Sequence, residues 1–105
     1  MKILENLIEK MNDTLEEIEF YGEQAHLHKI DHKNLSDTYI KVADMHISIY
    51  NMLHDRVVGL IEEEKAKGVA VPPEMKAIWD YQHKILIKDF AEAKFLVDEY
   101  KKSSY

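Results

Sequence analysis

The chain has no cysteine, only three glycines and two prolines, and a shortage of positive charge. Without thiols, disulfide frameworks, cysteine zinc fingers and thiol nucleophiles are excluded together. Three glycines cannot build a phosphate-cradling loop. Fourteen Lys and Arg face twenty Asp and Glu, a formal charge of −6 at pH 7. That balance argues against direct nucleic-acid binding, which needs clustered cations. Apolar runs reach only a few residues, far short of a membrane span. After Met1 and Lys2, the acids Glu5 and Glu9 interrupt any apolar leader, so no secretory signal is expected. A cytoplasmic protein without membrane association is the resulting expectation.

What the 105 residues do contain is charge, aliphatic side chains and helical periodicity, which together predict an all-α chain with one three-helix domain. The first helix, over about 2–30, carries Leu4, Ile8, Met11, Leu15, Ile18, Gly22 and Ala25 at alternating spacings of four and three. This is the seam of an antiparallel bundle or coiled coil. Gly22 within it costs helix propensity, about 1 kcal/mol relative to Ala, and points to close approach of a neighbouring helix. Phe20 and Leu27, seven apart on nearly the opposite side, form a second, smaller contact surface. Asp31, Asn34 and Ser36 are N-cap candidates for the second helix, with Asn34 or Ser36 favoured, and the helix runs over about 35–67 to Gly68 as its left-handed C′ residue. Val69 to Pro72 reads as an extended connector, because a residue before proline avoids helical backbone. Pro73 starts the third helix, about 73–101, whose seam is Met75, Trp79, Gln82, Leu86, Phe90, Ala93, Val97 and Tyr100. The last residues, from Lys102, are expected to fray. Short connections make neighbours antiparallel, so the predicted architecture is an up-down-up three-helix bundle, completed by dimerisation.

The middle helix is apolar around most of its circumference. Its polar residues Asp37, Lys41, Asp44, Ser48, Asn51, Asp55 and Glu62 gather into one stripe. A helix in a small bundle needs only a limited apolar face, so the surplus predicts burial against another chain, with Phe20, Leu27, His46 and Tyr50 as interaction residues.

His46 and His54 lie within that apolar arc. An unpaired buried imidazole costs roughly 1–3 kcal/mol, so each needs a hydrogen-bond partner or a metal. Gln82, Tyr50 and backbone carbonyls are candidate partners. Two carboxylate-x-x-histidine pairs, Glu23/His26 on the first helix and Asp80/His83 on the third, have the spacing that supplies oxygen and nitrogen ligands on one helix face. The metal reading therefore uses His54, His83, Asp80, Glu23 and His26, with Fe, Mn or Zn as the ion. Asp44 and Asp55, on the polar stripe, lie about 80° or more around the axis from His54 and His46. No Ser-His-Asp order or basic aromatic patch is present.

Three stretches, Tyr39-Ile-Lys-Val-Ala-Asp44 with Leu53-His54-Asp55, Val71-Pro-Pro-Glu-Met75, and Trp79-Asp-Tyr-Gln-His83-Lys84, resemble in order and spacing a group of small helical proteins encoded by phages and prophages of Firmicutes. The resemblance covers helices two and three. It implies a ferritin-like three-helix bundle of phage origin in a bacterial host. It carries over no catalytic residue, and helix two lacks a carboxylate-x-x-His, since Asp44 is followed by Met45, His46 and Ile47. The expected function is non-enzymatic and cofactor-free: protein–protein binding as a homo-oligomer, with a host protein, such as a defence protein to be inhibited, as target. The rival expectations are a ferritin-like metal-binding module and an acidic nucleic-acid mimic.

Overall fold

A computed structural model describes residues 2–68 and 73–104. They form three helices, α1 Lys2–Leu27, α2 Lys33–Ala66 and α3 Pro73–Ser104. The result is an all-α, three-helix bundle in which α1 packs against both partners. It is a rod of 56 × 20 × 19 Å. Its long axis matches α2, whose 34 residues at about 1.5 Å each span roughly 51 Å. Among the described residues, no helix is long and apolar enough to cross a membrane.

The α1 seam lies where its periodicity predicts. Leu4, Ile8, Met11, Leu15, Ile18 and Ala25 are all buried. A Cβ placed on Gly22 would sit 3.1 Å from Leu96 Cδ2, so the bare glycine lets α3 close on α1. From α2, Ile40, Ala43, Tyr50 and Val57 complete the core. From α3 come Trp79, Leu86, Ala93, Val97 and Tyr100. The side chain of Met75, the expected first member of the α3 seam, lies outside the described set, as do the Val69–Pro72 connector and Tyr105.

Three helix ends differ from expectation. α1 stops at Leu27 and a turn follows, closed by His32 N–H donating to His28 O at 2.9 Å. α2 begins at Lys33 with His32 as N-cap and no side-chain cap bond, so neither Asn34 nor Ser36 caps it. Ser36 instead lies inside the helix, fully buried, and its Oγ donates to Ala25 O at 2.8 Å. The hydroxyl satisfies an orphan carbonyl at the end of α1 rather than an amide of its own helix. α3 continues to Ser104, past the expected end near Lys101. Gly68, at φ +73°, takes the left-handed C′ conformation expected of it.

α2 and α3 touch more sparingly than either touches α1. Large rings and long polar side chains span the gap between them, and these form the polar features of the molecule.

Candidate functional site

α2 and α3 are antiparallel, so residues near the middle of α2 meet the first half of α3. This register brings His54 and His83 together, with Nε2 atoms 2.9 Å apart. The ring planes differ by only 28° and the centroids are 5.0 Å apart, so the imidazoles meet edge to edge. One N–H donates to the other ring's lone pair, which requires at least one neutral imidazole. Trp79, one turn before His83, stacks on its ring at 4.4 Å and 15° and walls off that side. Burial, and then the neighbouring His54, push the His83 pKa below the usual histidine value, while Asp80 pulls it back upward. Asp55 stands 3.9 Å from His54 Nδ1 and is almost wholly exposed. The pair is a half-buried clasp between two helices.

The other residues of the metal set go elsewhere. His26 lies at the far end of the rod, where its Nε2–H donates to Leu96 O at 2.9 Å and its ring meets Tyr100 edge-on. Glu23 is exposed on α1, among the acids whose charge raises the pKa of Glu19. Burial is the largest cause of that shift, followed by Asp89, Glu23, Glu16 and Glu92. The five residues proposed as ligands therefore do not converge. Among the described residues, no three His, Asp or Glu side chains gather to hold a metal. Spacing along one helix aligns residues on a face, but it does not say which faces meet at which height.

Two of the four expected interaction residues are engaged within the chain. His46 Nδ1–H donates to Val42 O, one turn back, at 2.8 Å, and its ring lies against Tyr21 of α1. Neither Gln82 nor Tyr50 serves it. Tyr50 is buried and stacks face to face on Phe90, centroids 4.2 Å apart and planes 6° from parallel. Its hydroxyl is buried with no hydrogen-bond partner among the described residues. Burial, with a smaller contribution from Asp89, pushes the phenol up to about 12. Phe20 and Leu27 remain exposed, at 52% and 67%.

The polar stripe of α2 is more than a solvated face. Asp37 accepts from the Tyr100 hydroxyl at 2.9 Å, and Asp44 accepts from Lys101 Nζ at 2.7 Å. These two acids, seven residues apart, anchor the end of α3 and line a recess of about 330 Å³ with Lys33, Ile40 and Lys41. The heptad spacing of Asp37 and Asp44 was visible in the sequence. Their partners were not, because pairing depends on the α2–α3 register. On the outer side of α2, Met45, Ile49 and Met52 stand exposed at 62%, 42% and 71%. They follow one another at spacings of four and three, so they share one helical face. No family model matches the chain, and no curated protein or solved structure matches it.

Proposed function

We propose that the chain acts by protein–protein binding, without catalysis, as a homodimer in the cytoplasm of a bacterial host, where its further target is a host protein. The observation that carries this reading is the grouping of its exposed apolar side chains. Met45, Ile49 and Met52 form a face on α2, and Phe20 and Leu27 form a face on α1. Scattered single apolar residues are ordinary on a protein surface, whereas contiguous faces mark association. The two faces lie on different helices, so one can hold a second copy while the other holds a target. The resemblance to phage-encoded helical proteins makes a host defence protein the kind of target expected. The test is capture from a Firmicute lysate, followed by rebinding of the purified target. A target held by the wild type and lost with Phe20→Glu/Leu27→Glu supports the reading. A catch no different from that of an unrelated acidic bundle counts against it.

A second reading has its own observation. The acids Glu16, Glu23, Asp89 and Glu92 stand close enough to Glu19 that their charges, after burial, add to the rise of its pKa. Such a ridge suits a nucleic-acid mimic that occupies the DNA site of a basic protein. Competition between the chain and DNA for the captured target separates the two readings.

A further inference from the structure

Gly59 lies in the interior of α2, where a glycine costs about 1 kcal/mol relative to alanine. Unlike Gly22, it has no packing reason among the described residues: a Cβ built there meets none of them within 4 Å. It lies seven residues from Met52 and fourteen from Met45, on the same outward face. At about 100° per residue, Met45, Met52 and Gly59 fall within about 40° of one another. A bare backbone beside two protruding methionines is a hole beside two knobs.

We propose that this face of α2 is occupied by α2 of a second copy, antiparallel, with a two-fold axis at Met52. The proposal rests on the reading of the chain as a homodimer and gives that dimer a surface and a register. A two-fold interface brings the same patch together from both subunits. With the axis at Met52, positions that sum to 104 face each other. Met52 then meets its own copy, and Met45 of each chain lies over Gly59 of the other, where the missing side chain admits it. Lys41 lies opposite Glu63. Both are exposed, and neither side chain enters an ion pair or hydrogen bond among the described residues. The same register thus fills the hole, covers the methionines and supplies two symmetric ion pairs. Ile49 flanks the axis on the same face.

Because the chain has no cysteine, a single introduced thiol reports its own neighbours. Met52→Cys, on the axis, is expected to form a covalent dimer under mild oxidation. Ile87→Cys, exposed on α3, is expected to stay largely monomeric. In sedimentation, Lys41→Glu and Glu63→Lys are each expected to weaken the dimer about tenfold, since each places like charges at both symmetric sites. The double exchange is expected to restore wild-type affinity. Gly59→Leu fills the hole and is expected to abolish the dimer while leaving helical content intact. If the wild type self-associates but Met52→Cys links no better than Ile87→Cys, or the charge exchange fails to rescue, this register is wrong and the dimer reading stands. If the wild type is monomeric, whether or not a different protein binds this face, both are wrong.

Discussion

The buried hydroxyl of Tyr50 is a defect whose removal is expected to help. Its ring stacks on Phe90 and its oxygen has no partner among the described residues, so Tyr50→Phe keeps the stack and deletes only the unsatisfied group. Leaving a hydroxyl buried and unpaired costs roughly 1–3 kcal/mol, part of which returns as the small void left by the oxygen. A net gain of about 1 kcal/mol is expected. At about 2.1 cal/mol/K per residue, the unfolding entropy of this 105-residue chain is roughly 0.22 kcal/mol/K, so the gain corresponds to a rise in Tm of about 4–5 °C. Calorimetry of the two proteins at one low concentration reads this directly. A second arm uses the phenol itself. Its folded pKa, about 12, lies above the ordinary value of 10, so the fold favours the neutral form. The associated stability is complete below pH 10 and is lost as the pH rises toward 12. The wild type should therefore lose more stability than Tyr50→Phe over that interval. A lower Tm for Tyr50→Phe would show that the hydroxyl has a partner after all, and would refute the reasoning.

Three further predictions follow from the same contacts. The His83 pKa is held below its unfolded value by burial and His54, so its stabilising contribution is present above about pH 6.5 and is lost as the pH falls; His83→Gln should flatten the loss of stability between pH 7 and 5 in urea titrations. Ser36→Ala leaves the buried Ala25 carbonyl without its donor and should cost about 1–2 kcal/mol in the same assay. Gly22→Ala should be nearly neutral, because the flexible end of Leu96 can yield to the new methyl while the helix gains about 1 kcal/mol; Gly22→Leu should cost about 2 kcal/mol or more by overpacking against α3.

Much of the fold was legible because it rests on local repetition. The α1 seam from Leu4 to Ala25, the closeness signalled by Gly22 and the stop at Gly68 each follow from spacing or backbone preference within one helix. The site was legible only in part, because it depends on register between helices. His54 and His83 each stood out, yet the height at which α2 meets α3 decided that they face each other while His26 caps Leu96 O near the other end. Ser36 read as a cap because caps are the usual use of serine near a helix start, and a tertiary acceptor on α1 took its hydroxyl instead. Tyr50 read as an interface residue from the breadth of the apolar arc. Half of that arc serves α1 and α3, and only the part bearing Met45, Ile49 and Met52 is left over.

The claim that this remaining face binds another chain is tested most directly by sedimentation equilibrium across a range of micromolar concentrations. The wild type should move from 12.4 kDa toward twice that mass as concentration rises, while Met45→Glu/Met52→Glu stays at 12.4 kDa with its helical content unchanged. A wild-type chain that remains at 12.4 kDa throughout would contradict the account.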